Sequence, residues 1–317
     1  MSSLSNLTSS PVPIPIPIPT TSPPRPVAIL PGLGNNRGDY GALAAALREK
    51  HGVAAAVVAE VSRIDWLRNA AGLLDPNYWS GTLRPRPVLD WYLERVDRAV
   101  AHAKSLASPG QGISLIGHSA GGWLARVYME EFGFDGIALL LTLGSPHSYT
   151  FPLISCVVPP PKNVPGVIDQ TRGLLDYVEK NCAPAVYTPE LRYVCIAGRY
   201  IQGARLIGNS KSASEETLEI GKDSGQDESI VNGRNNKPAP TAPTLRARFV
   251  GQGYKQVCGR ADVWGDGVVP EMSAHLEGAL NISLDGVYHS PVGSDDNLRP
   301  WYGSPSVLEK WVHHLLT

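Results

Sequence analysis

The sequence predicts an α/β fold with a mostly parallel central sheet and helices on both of its faces. Three observations carry that expectation. Short apolar runs without polar interruption recur along the chain, as expected of strands buried on both sides. Between them lie segments whose apolar residues repeat at intervals of three and four, the spacing of one helix face. Glycine-rich turns punctuate the joins.

Taken in order, Val27-Ala28-Ile29-Leu30 is the first strand, and it runs into the loop Pro31-Gly32-Leu33-Gly34. Residues 53–58, 113–116, 137–143 and 193–197 read as further strands, with 282–284 as the last. The clearest helix carries Leu89, Tyr92, Leu93, Val96, Val100 and Ala103 on one face. A closing helix carries Val307, Leu308, Trp311, Val312 and Leu315. Two regions break the alternation: 148–165 is apolar and then proline-rich, and 209–243 is polar, lacks aromatic residues and reads as a solvated or disordered loop. Residues 25–317 are accordingly expected to form a single domain with insertions at those two places.

Residues 1–24 contain no charged side chain, and proline alternates with Val or Ile from Pro11 to Pro19. Proline removes backbone donors and fixes φ, so extended polyproline II or disorder is expected there. An acid-free segment rich in Ser and Thr fits either an organelle transit peptide, with a plastid location, or a disordered tail on a cytoplasmic protein.

The formal net charge is −1 with acids and bases interspersed, so no basic stripe is available to a phosphate backbone and nucleic acid is not an expected partner. No run approaches the roughly 18–20 apolar residues of a membrane span, so a transient contact with a membrane surface is the most that is expected. Cys156, Cys182, Cys195 and Cys258 show no CxxC spacing and follow no secretory signal, and they read as buried or idle thiols in a reducing compartment.

Gly117-His118-Ser119-Ala120-Gly121 matches the G-x-S-x-G nucleophile elbow, and its setting matters more than the pattern. A strand stands before it, and Gly122-Trp123-Leu124-Ala125-Arg126-Val127-Tyr128 begins a helix after it. The serine of such an elbow sits at strained φ/ψ on a sharp turn. Gly117 and Gly121 are then required because a Cβ at either would collide with the adjoining strand or helix. A serine hydroxyl also needs a base to take its proton, and the base needs a carboxylate to fix its tautomer. His289, after a short apolar strand near the C-terminus, and Asp266, in Trp264-Gly265-Asp266-Gly267, can fill those roles. Asp262 and Asp285 are rival acids, and His147, His275, His313 and His314 are rival bases. His118 reads as packing, since neighbours on a tight turn point in different directions.

From residue 27 to 316 the sequence resembles the α/β-hydrolase superfamily, in particular its lipase- and esterase-like members. Leu30-Pro31-Gly32-Leu33-Gly34 is similar to the HG-type oxyanion loop, with Pro31 where lipases often carry His. Leu143-Gly144-Ser145-Pro146-His147 resembles the end of the strand after the elbow helix. The stretch Trp264 to Pro270, followed by Val287-Tyr288-His289-Ser290, resembles the acid and histidine loops, in the order Ser, Asp, His that this superfamily uses. The resemblance implies an α/β-hydrolase fold, a catalytic Ser119, Asp266 and His289, and an oxyanion hole made by the backbone N–H groups of Leu33 and Ala120. It calls for no cofactor and no metal.

The expected activity is hydrolysis of a carboxylic ester of a lipophilic acyl group, with Tyr149, Phe151, Leu153 and Ile154 as a candidate lid. A thioesterase or acyltransferase would use the same triad. There is also resemblance to the GPI inositol-deacylase family, against which the lack of membrane-spanning segments counts. A ligand-binding protein on a hydrolase fold is the reading from another class, since fold does not fix function.

Overall fold

The computed structural model describes residues 24–147, 171–206 and 243–316. The candidate lid within 148–165, all but the last residue of the polar stretch 209–243, all but the last residue of the segment 1–24, and Cys156 lie outside the described residues.

Eight strands occur among the described residues: β1 (Val27–Leu30), β2 (Ala56–Val58), β3 (Ile113–His118), β4 (Ile137–Leu143), β5 (Arg192–Arg199), β6 (Ile201–Gln202), β7 (Trp264–Gly265) and β8 (Leu280–Asp285). Six form one sheet in the order β2-β1-β3-β4-β5-β8, every neighbouring pair parallel. The expected runs at 27–30 and 137–143 coincide with strands. The run at 53–58 narrows to Ala56–Val58, because the Val53 N–H donates to the Leu47 carbonyl and so closes the preceding helix. β6 and β7 pair antiparallel as a separate ribbon of two residues each, too short to carry a sequence period.

The side chains of β1 alternate between two cores, as the pleat requires. Ala28 and Leu30 join the core made with α3 (Asp90–Ser105), α4 (Ala120–Phe132) and α5 (Leu174–Asn181), through residues such as Leu93, Val96, Leu124 and Leu175. Val27 and Ile29 join the opposite core, with Leu43 and Leu47 of α1 (Gly41–Glu49) and Leu308 and Trp311 of α7 (Pro305–Trp311). The sheet is thus covered on both sides, which is why its central strands are mostly apolar, with Ser114, His118 and Thr142 as buried polar exceptions. α2 (Pro76–Ser80) is short and capped by Asp75, and α6 (Leu245–Cys258) starts at a Thr244 cap and stops at Gly259 in the left-handed region. The closing helix is shorter than its apolar period suggested: it becomes a 3-10 turn, Val312–His314, while Val312 and Leu315 stay buried.

The strand order reverses between β1 and β3, since the chain goes outward from β1 to β2 and then returns to β3 on the other side. In open parallel sheets the crevice at the carboxyl ends of such a pair is where ligands bind. The loop after β1 and the elbow after β3 both open there.

α4 reaches this position by direct backbone contact with β1. A Cβ on Gly121 would stand 2.2 Å from the Leu30 carbonyl oxygen. Gly121→Ala is therefore expected to destabilise the protein by on the order of 3 kcal/mol or more, a melting temperature about 6–12 °C lower. Gly253, within α6, has open space where its Cβ would lie, and Gly253→Ala should raise stability by about 0.5–1 kcal/mol. Calorimetry on both variants checks the pair, and equal melting temperatures would contradict the close approach at Gly121.

Candidate active site

Ser119 links β3 to α4 with φ 52° and ψ −123°, a conformation that side chains rarely adopt. Its N–H donates to the Leu143 carbonyl at 3.0 Å, and its side chain remains partly accessible. Glycines make the turn feasible. A Cβ on Gly117 would lie 2.4 Å from the Gly122 Cα, and one on Gly122 would meet Ser145 Oγ at 2.4 Å. Gly32, in the loop after β1, lies so close that its Cβ would stand 2.8 Å from the Ser119 Cβ. The elbow and the loop after β1 are therefore packed against each other at backbone range.

His289 Nε2 lies 3.0 Å from Ser119 Oγ, and His289 Nδ1 lies 2.7 Å from Asp266 Oδ2. The carboxylate can only accept from Nδ1–H, so neutral His289 carries its proton on Nδ1 and turns the lone pair of Nε2 to the serine hydroxyl. Asp266 and His289 are both buried. Asp266 Oδ1 accepts from the N–H groups of Val268 and Val269, at 3.0 and 2.7 Å, while Oδ2 also accepts from the Tyr302 hydroxyl at 2.8 Å. One oxygen thus builds the acid's own turn and the other holds the imidazole. Burial, and then the Asp266 charge, push the Tyr302 hydroxyl well above its ordinary pKa, so it stays a donor. The His289 N–H also donates to the Asp266 carbonyl at 3.0 Å, tying the two loops together by backbone as well as side chain.

The rival residues lie elsewhere. Asp285 is paired with Arg199 at 2.8 Å and Asp262 with Arg205 and Arg260, all toward solvent. His275 contacts Ser283 at 3.1 Å, and His313 and His314 lie against each other beyond α7. His147 is buried, with Nε2 3.1 Å from Thr142 Oγ1. Tyr302, which sequence reasoning passed over, sits beside Trp301 just before the closing helix and reads there as core.

In the loop after β1, the Gly32 N–H donates to the Tyr40 hydroxyl at 2.9 Å and the Asn35 N–H to the Gly32 carbonyl at 3.0 Å. No acceptor among the described residues takes up the N–H of Leu33 or of Ala120. Leu33, next to Gly32 in the loop after β1, and Ala120, in the first turn of α4, thus have unused amide donors, and at α4 the helix dipole adds partial positive charge.

Residues 26–205, more than half of the chain, match the profile of the family described as Palmitoyl protein thioesterase. The chain belongs to this family. The match to the palmitoyl protein thioesterases runs from β1 to β6 and includes Ser119, whereas Asp266 and His289 lie beyond it. Together with the helix-covered parallel sheet, it identifies an α/β-hydrolase fold and a hydrolase of lipase, esterase or thioesterase type. No curated protein matches the chain. Among solved structures, a mature lipase of Bacillus licheniformis aligns over 96% of this chain and 96% of its own, at 16% identity and TM-score 0.43. The LpqC poly(3-hydroxybutyrate) depolymerase of Bordetella parapertussis aligns over 86% of this chain and 76% of its own, at 18% identity and TM-score 0.37.

Two buried histidines give this region a pH signature. Burial pushes His118 down to about 3, helped by the neighbouring His289, and burial pushes His147 down to about 3, helped by Arg126. An unfolded histidine binds its proton below about 6.5 while these do not, so the unfolded state holds more protons across that window and stability falls as pH drops from about 6.5 toward 3. Each contributes a slope of about 1.4 kcal/mol per pH unit. His147→Gln should remove one proton from the slope of unfolding free energy measured by denaturant titration between about pH 6 and pH 4. An unchanged slope would mean that His147 is not held neutral.

Proposed function

We propose that the protein is a serine hydrolase that cleaves a carboxylic ester or thioester of a lipophilic acyl group through Ser119, His289 and Asp266. The observation that carries this reading is the unbroken line of contacts from Ser119 Oγ to His289 Nε2, 3.0 Å, and from His289 Nδ1 to Asp266 Oδ2, 2.7 Å. In that arrangement His289 takes the serine proton as Oγ attacks the acyl carbon, and the buried Asp266 stabilises the imidazolium that forms. The N–H groups of Leu33 and Ala120 receive the negative oxygen of the tetrahedral intermediate. His289 returns the proton to the departing alcohol or thiol, then activates the water that frees the acid from the acyl-enzyme. Family membership supports an acyl thioester of palmitoyl type among the substrates.

Ser119→Ala and His289→Ala are expected to reduce turnover by about 10⁴- to 10⁶-fold without unfolding the chain, and Asp266→Asn somewhat less, because nucleophile and base both remain. A fluorophosphonate probe should label the wild type and not Ser119→Ala. Absence of labelling in the wild type would favour a binding protein on a hydrolase fold.

For the substrate class, kcat/KM across p-nitrophenyl esters and acyl thioesters of rising length should increase by up to about fourfold per CH₂, the equivalent of about 0.8 kcal/mol each. A profile that peaks at acetate would contradict the lipophilic assignment.

A further inference from the structure

Beneath the nucleophile runs a second line of hydrogen bonds that the reaction steps do not use. The Gly32 N–H donates to Tyr40 Oη at 2.9 Å, Tyr40 Oη lies 2.7 Å from His118 Nδ1, and His118 Nε2 lies 2.9 Å from the carbonyl oxygen of His289. Tyr40 and His118 are completely buried.

The direction of each bond follows from its far end. The His289 carbonyl can only accept, so His118 holds its proton on Nε2. Burial keeps a second proton off the ring, with a pKa of about 3, so Nδ1 is an acceptor and the Tyr40 hydroxyl must donate to it. The other acceptor near that hydroxyl, Asn35 Oδ1, is more distant at 3.3 Å. The line therefore reads Gly32 N–H to Tyr40 O–H to His118 to His289 C=O, with one proton per link.

We propose that Tyr40 and His118 are positioning residues that set the oxyanion loop and the base at a fixed separation about the nucleophile. This rests on the serine-hydrolase reading above. The oxyanion loop follows β1 and the base follows β8, two strands separated in the sheet by β3, β4 and β5. His118 immediately precedes Ser119, so the turn that aims the nucleophile also fixes the His118 backbone. Its ring reaches the base on one side, centroids 5.0 Å apart, and Tyr40 on the other, at 5.7 Å. A Cβ on Gly32 would stand 2.9 Å from His118 Nδ1, which leaves the loop no slack toward the relay. Nucleophile, base and oxyanion donor are thereby referenced to one side chain that touches no substrate.

The test compares kcat and KM of the full chain with those of Ser119→Ala, Tyr40→Phe, His118→Gln, His118→Leu and the double variant Tyr40→Phe/His118→Gln, at temperatures where each is folded by circular dichroism. A misplacement of the donor or base by a fraction of an ångström should lower kcat by about 10- to 100-fold with KM little changed. His118→Gln, which can still donate to the His289 carbonyl, should lose less than His118→Leu. The double variant should lose no more than the worse single one, because a line broken once is already broken. Losses of melting temperature with unchanged kcat would overturn the positioning role, and so would fully additive losses in the double variant. A wild type no more active than Ser119→Ala would overturn the serine-hydrolase reading itself, and the positioning role with it. The ¹⁵N imidazole spectrum of the wild type supplies a check that needs no variant to fold. The relay requires the Nε2–H tautomer at His118, and an Nδ1–H tautomer would overturn it.

Discussion

Ser119 holds φ 52° and ψ −123°, a conformation that costs a residue with a Cβ about 1–3 kcal/mol. The chain can meet that cost only because the surrounding backbone leaves Ser119 no alternative. β3 ends in the middle of the sheet, α4 begins with only Ser119 between, and Gly117, Gly121 and Gly122 let strand, helix and β1 approach to distances that any side chain would block. The same close approach brings Gly32 against the serine, so the loop that would supply an oxyanion donor is placed by the elbow itself. Were the turn to relax into ordinary helical geometry, Ser119 and the loop after β1 would part together.

Asp266 and His289 are held differently, since they come from chain segments with little regular structure. Asp266 stands after a two-residue strand and His289 beyond the last strand of the sheet. What fixes them is hydrogen bonding in a buried setting: two amides on one carboxylate oxygen, an imidazole and a phenol on the other. In low dielectric such a network is strong when every group is satisfied and costly when one is not. An aspartate that only closed a turn would need Oδ1 alone. The further commitment of Oδ2 to His289 and Tyr302 is what distinguishes Asp266 from Asp262 and Asp285, whose charges are answered by arginines near the surface.

Much of this was legible in the sequence because it rests on local patterns. The continuous apolar runs of β1 and β4 report burial on both faces, and the elbow motif is recognisable by its strand and helix neighbours, all within a dozen residues. The β6–β7 ribbon was not legible, because two residues carry no period. Nor were Tyr40 and Tyr302, whose partners His118 and Asp266 lie 78 and 36 residues away. Tyr40 follows the polar run Asn35 to Asp39 and Tyr302 adjoins Trp301 between Arg299 and Ser304, so nothing local marks either hydroxyl, although both rings pack in the core. The geometry of a tight turn marks His118 only as packing. Its ring is indeed fully buried, but both nitrogens are engaged, a distinction that no spacing rule reports.

In the proposed mechanism Ser119, its base and two backbone donors converge on one acyl carbonyl at the carboxyl ends of β1 and β3. The measurement that addresses all of these at once is a crystal structure of the full chain after reaction with a long-chain alkyl phosphonate, a tetrahedral mimic of the intermediate. The expected result is phosphorus bonded to Ser119 Oγ, with the phosphoryl oxygen about 2.7–3.1 Å from the amide nitrogens of both Leu33 and Ala120. Phosphorus on another residue, or a phosphoryl oxygen turned away from both amides, would contradict it.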